Sequence, residues 1–317
     1  MSEPSSRLIS LSKKLSHASC ERQMSILGDH PWDEPKSDQL WLRAPEKLSL
    51  HGTPYFQLAT EGELRRLSTL ELASWWHGFI VFERLVTEYY MRLINQGVFA
   101  EFPEVVDYMH HFCREELNHC LVFDKAMQHF GVPTFEVPDA MTDFYVDNAD
   151  SGKYPLVSVY LTLLIEWIAD LYQRMDTDGK GVSRLASTIV KEHTREEARH
   201  IAWAQEMIRT LARDVPEFLE SARQFTPVFV RQFVDAGVAN VECYQRVEFK
   251  APAFRDVETL VAQVIDNPHR RQLNRSLLRP VMRFFVEVGI YDDAYSELWQ
   301  SANFAEDIRV AKQALSR

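Results

Sequence analysis

Two copies of Glu-x-x-His, Glu116/His119 and Glu197/His200, lie in stretches of helical periodicity. Each follows another such stretch with a lone glutamate on its apolar face, Glu83 before the first copy and Glu166 before the second. Carboxylates and imidazoles in that order are the donors of a di-metal site built between four helices. Unpaired and buried, each charge would cost several kcal/mol, so a metal is what explains such a set. With 11 histidines in the chain, roughly one Glu-x-x-His arises by accident. The weight therefore rests on there being two copies, each with a partner glutamate across a turn.

Within each copy two glutamates compete. Glu115 and Glu116 both fall within about one turn of His119, as Glu196 and Glu197 do of His200. The i, i+3 spacing and the apolar neighbours favour Glu116 and Glu197 as ligands. That leaves Glu115 and Glu196 either as exposed acids or as acceptors for the far ring N–H of a ligating histidine, which fixes its tautomer. His193 precedes Glu197 by four residues and His200 by seven. At ~100° per residue the three share an arc of about 60° on one helix face, which makes His193 a candidate third imidazole. Asp170, one turn beyond Glu166, either orients a ligand or touches substrate, or plays a plain polar role.

The helices that must position these groups are legible from 3-4 spacing of apolar residues and from turn residues. The pattern predicts helices over 69–95 and 104–130, separated by Gly97 and Pro103, and a third opened by Pro155. A fourth is predicted over 182–213, after the turn at 176–181. The midpoint between Glu83 and Glu116 falls inside the first turn, so an antiparallel hairpin brings the two level. The midpoint between Glu166 and Glu197 falls just past Gly181, a looser fit. The connection of about 22 residues between the hairpins reaches up to ~70 Å when extended, enough for one long crossover. The fold class expected is therefore all-α, a ferritin-like four-helix bundle.

Residues 1–60, with five prolines and a short helical pattern over 8–15, read as an irregular N-terminal arm packed on the bundle. Residues 61–317 read as a single domain whose C-terminal extension carries helices over 216–223, 227–246, 257–265, 268–288 and 302–316. A net charge of −11 argues against nucleic-acid or anionic-membrane partners. The four cysteines, Cys20, Cys113, Cys120 and Cys243, form no paired motif, so reduced thiols are expected and a cytoplasmic protein with them. No leader or spanning stretch is visible in the sequence.

On Glu83, Glu116-Leu117-Asn118-His119, Glu166 and the run from His193 to His200, the sequence resembles the AurF-type di-iron arylamine N-oxygenases over about residues 45–300. The resemblance implies metal ligands Glu83, Glu116, His119, Glu166, His193, Glu197 and His200. It also implies two iron ions that react with O2 to a peroxo oxidant and carry an aromatic amine through hydroxylamine and nitroso levels to nitro. A homodimer is expected on the same ground. The donor chemistry also favours iron, with manganese next: copper(I) is disfavoured by a cysteine-free site, and hard cations do not use three imidazoles.

No flavin or nicotinamide fingerprint is visible, so an external reductase or ferredoxin is expected to supply electrons. Tyr89, Tyr90, Phe112, Phe123, Tyr160 and Trp167 are near enough in register to line a substrate slot, though core packing would equally account for them. Arg279 or Arg283 could bind a substrate carboxylate. Competing readings are C–H hydroxylation or desaturation on the same scaffold, a ferroxidase, a radical-generating subunit, and a helical interaction protein without metal.

Overall fold

Thr60 accepts a hydrogen bond from the Glu63 backbone N–H, and the Glu63 carboxylate accepts one from Thr60 N. This reciprocal cap starts α3, Glu61–Asn95, the first long helix of the computed structural model, which follows α1, Ser6–Glu21, and α2, Pro54–Leu58. Residues 6–26, 28, 30–35, 39–137, 157–176 and 181–316 are described. Helix α4, Pro103–Phe130, begins with a proline whose missing N–H needs no partner there. It ends on Gly131 in the left-handed region, φ 65°.

Helix α5, Val157–Gln173, runs into a short 3-10 turn, and α6, Arg184–Asp214, is capped by Ser183 and by Glu34 of the arm. Pro155, expected to open α5, and most of the crossover before it lie outside the described residues. Helices α3 and α4 pack as one hairpin and α5 and α6 as another, with α3 against α5 and α4 against α6. Among the described residues there is no strand, only one isolated parallel bridge between Trp41 and Val182. No described helix is long and apolar enough to cross a membrane.

The arm is more helical than its sequence suggests. Helix α1 covers sixteen residues rather than the short pattern over 8–15, and it lies on α4 and α6. Its buried face is mostly serine, Ser12, Ser16 and Ser19 with Leu8, which hid it from a hydrophobic reading. Around the bundle follow α7, Pro216–Val238, α8, Val241–Val247, α9, Val257–Ile265, α10, Pro268–Glu287, α11, Ser296–Ser301, and α12, Ala305–Leu315.

Two of the expected C-terminal elements, 216–223 and 227–246, are corrected: a continuous α7 and a short α8 take their place. Pro227 does not start a new helix but sits inside α7. The buried row Phe218, Ala222, Thr226, Val230 and Val234 runs straight through it, so packing keeps the helix continuous despite the lost backbone hydrogen bond. The helix expected over 302–316 is present as α12, with α11 ahead of it and Asn303, φ 68°, at the break.

Candidate metal centre

Glu83 on α3, Glu116 and His119 on α4, Glu166 on α5, and His193, Glu197 and His200 on α6 are all buried. Ligand atoms of Glu83, His119, His193 and Glu197 lie within 4.8 Å of one another, and so do those of Glu116, Glu197 and His200. Glu197 belongs to both groups. Its Oε1 is 3.0 Å from His193 Nε2, 3.5 Å from His119 Nδ1 and 3.4 Å from His200 Nδ1. His119 and His200 thus turn Nδ1 inward, whereas His193 turns Nε2. Glu166 stands outside both groups, yet close enough for the charges of Glu116 and Glu197 to act on it.

The oxygens of Glu116, Glu166 and Glu197 and the inward nitrogens of His119 and His200 are buried and make no well-directed hydrogen bond among the described residues. Groups of this polarity are almost always satisfied, and these are donors that a cation could satisfy. In the metal-free protein, protons partly stand in for it. Burial, which disfavours the imidazolium, is outweighed at His119 by Glu116 and Glu196, and the ring is raised to about 9. His200 is raised likewise, by Glu116 and Glu197. Burial pushes Glu83 and Glu166 well above the usual carboxyl range, while at Glu197 it is overcome by His193 and His200, which hold that carboxyl well below it. A bound cation would have to release the protons on His119 and His200.

The outer edges of the imidazoles are held crosswise. His119 Nε2 is 2.8 Å from Glu196 of the other Glu-x-x-His, and His200 Nε2 is 2.9 Å from Glu115 of the first. Arg199 ties both acids together, 2.8 Å from Glu115 and 3.2 Å from Glu196. Burial works against the Glu115 anion, but His200 and Arg199 prevail and bring its carboxyl down to about 2. The Met24 backbone N–H donates to Glu196 at 2.7 Å, so the arm reaches the second layer of the centre. His193 is held by Gln173, 2.5 Å from its Nδ1. Gln173 in turn meets Asp170, which accepts from Thr194 at 2.7 Å and pairs with Arg174.

Gln173, Arg199 and Met24 N–H were not singled out in the sequence. Gln173 carried a signal, since Glu166, Asp170 and Gln173 form a polar row at 4-3 spacing in an otherwise apolar helix. Arg199 lies inside the run from His193 to His200 without a role of its own read from it, and a backbone N–H carries no sequence signal at all. Cys120 also approaches the centre, its Sγ 3.5 Å from Glu83 Oε2, although it belongs to neither ligand group.

Aromatic rings seal the cluster. Phe112 stacks on His200 with centroids 3.9 Å apart, and Phe79 and Phe123 each meet the His193 ring edge-on at 4.7 Å. On its other side Phe79 lines a cavity of about 700 Å³ between α3, α5, α7 and α8, which Ile165 and Ala169, neighbours of Glu166, also line. Of the residues expected near a substrate, Tyr90 packs on Phe112 and Trp203, and Tyr160 bonds Thr226 at 2.7 Å. Neither lines this cavity. Arg279 and Arg283 are exposed on α10 and do not line it either.

Fold and cluster together define a class: helical bundles with a buried carboxylate and imidazole site able to hold metal. Over residues 9–289 the chain matches the family model described as P-aminobenzoate N-oxygenase AurF, and it belongs to that family. It is accordingly an oxidoreductase of a di-iron N-oxygenase family. No match to the chain was found among curated protein sequences.

Proposed function

We propose that the protein binds two iron ions through Glu83, Glu116, His119, Glu166, His193, Glu197 and His200, and uses O2 to oxidise the nitrogen of a small aromatic amine. The observation that carries this reading is the set of buried donors without hydrogen-bond partners, together with family membership. Iron held there would supply electrons to O2 and generate the oxidant. Glu197, common to both donor groups, could help to hold both ions. Glu115 and Glu196 accept the outer N–H of His200 and His119, which keeps each inner nitrogen free as a donor.

In the first oxidation one oxygen atom enters an N–H bond of the amine to give the hydroxylamine. The other leaves as water, consuming two protons and two electrons from an external reductase or ferredoxin. Phe79, Phe112 and Phe123 exclude bulk water from the imidazoles, which protects the oxidant from side reactions. The cavity behind Phe79 is where the amine is held.

The test is to load reduced protein with Fe(II) without air, count the iron, admit O2, follow the optical spectrum, and add a panel of aminoarenes. Two irons per chain, an absorbing species consumed on adding an arylamine, and hydroxylamine, nitroso or nitro products by mass are expected. An oxidant indifferent to every amine would move the activity to carbon, and a chain that holds no stoichiometric iron would end the proposal.

A further inference from the structure

The family model is described by an anionic substrate, p-aminobenzoate, and a buried carboxylate needs a cation or several N–H donors opposite it. The cavity behind Phe79 offers neither arginine nor lysine among the described residues that line it. Its polar lining is Ser74, His77, Glu136, Asn240, Glu242 and Gln245. Burial lowers the proton affinity of the His77 ring, with Arg84 acting in the same direction. Arg84 and Arg246 both act on His77 from outside the described lining, and the donors of Arg246 are committed to Glu242 and to the carbonyls of Pro133 and Thr134, with its plane over Phe135.

The volume is also kept open by residue choice. Gly78 stands in the interior of α3, where glycine weakens a helix, and a Cβ there would meet nothing within 4 Å. Its empty side faces the cavity. Across it, Gly237 of α7 lets the Trp75 ring lie so close that a Cβ would sit 2.5 Å from it.

Resting on the N-oxygenase reading above, we infer that this cavity takes an arylamine without a carboxylate, whose end remote from the amine is neutral or cationic, and that Gly78 sets the space available to it. Glu136 repels an anion entering from the rim, Glu242 leaves Arg246 no free charge to offer one, and the amides of Asn240 and Gln245 suit hydrogen-bonding neutral groups.

The test measures equilibrium binding to the oxidised, iron-loaded protein, with turnover followed separately. The probes are p-aminobenzoate, 4-aminobenzamide and 4-aminobenzylamine. The benzamide and the benzylamine should bind at least about tenfold more tightly than the benzoate, since an unpaired buried charge costs more than the ~1.4 kcal/mol that tenfold represents. The Gly78→Phe variant, which fills the cavity, should lose all three while keeping its iron content and helical spectrum. Equal or tighter binding of p-aminobenzoate overturns the charge inference and leaves the N-oxygenase reading intact. Unchanged binding in Gly78→Phe overturns the cavity assignment. The expected binding order without any N-oxidised product supports the cavity's selectivity and instead removes the N-oxygenase reading.

Discussion

At the scale of the residue, the third imidazole depends on a single amide. When His193 presents Nε2 to a metal, its proton resides on Nδ1, and a half-turn of the Gln173 amide offers Oε1, which has no other partner, as the acceptor. Gln173→Leu should lower Fe(II) affinity about 10- to 100-fold, and Gln173→Glu, which keeps an acceptor, should retain it. Metal titration with a competing chelator reads both. Glu166 makes a second prediction of opposite signs. Its carboxylate is buried without a hydrogen bond, so in metal-free protein Glu166→Gln should raise unfolding stability by about 1–3 kcal/mol. The same change should weaken iron binding, and urea titrations with and without Fe(II) separate the two effects. A lower stability of the metal-free variant would show that Glu166 has a partner in the folded state.

At the scale of the element, the start of α6 hangs on the arm. Glu34 accepts from Arg184 N at 2.9 Å, from Leu185 N at 3.1 Å and from the Ser183 hydroxyl. Burial opposes its charge, but these bonds win and lower its pKa. A carboxyl lowered on folding stabilises above its unfolded value, and that stabilisation is lost as pH falls through the folded one. Glu34→Ala should therefore cost about 1 kcal/mol at pH 7, a difference that shrinks as pH drops below the ordinary carboxyl range. Denaturant midpoints of metal-free wild type and variant across that range check it. The bundle helices and the first hairpin were legible because apolar spacing and the Gly97 and Pro103 turn report local geometry. Helix α1 was not, because its buried serines look like surface, nor was the continuity of α7 through Pro227, because packing from other elements decides it.

At the scale of the whole molecule, the centre ties α3, α4, α5 and α6 together, so iron should contribute to stability of the entire bundle. At a free metal concentration about 100 times Kd the gain is about 2.7 kcal/mol. Removal by chelation should lower the melting temperature by about 5 °C or more, at ~2–4 °C per kcal/mol for a chain of this order of size. Readdition of Fe(II) should restore it, and a melting point indifferent to metal would deny the centre a structural role. Of the seven candidate ligands that the sequence offers by their order, six are gathered in the two buried groups and Glu166 stands beside them. The cavity was not legible in the sequence, since a void is made by residues as distant in the chain as Gly78 and Gly237, and no local pattern encodes what is missing between them.

The crosswise bracing has a consequence for how the chain acquires metal during synthesis. His119 relies on Glu196, and His200 on Glu115, so a nascent chain that has released only α3 and α4 exposes a Glu-x-x-His whose imidazole is not yet oriented. Glu197, shared by both donor groups, is also still missing at that stage. A stray cation meets only a weak half-site until the second hairpin docks. If the centre binds metal as proposed, loading would thereby be postponed until the bundle is complete, a safeguard against trapping the wrong ion on an unfinished protein.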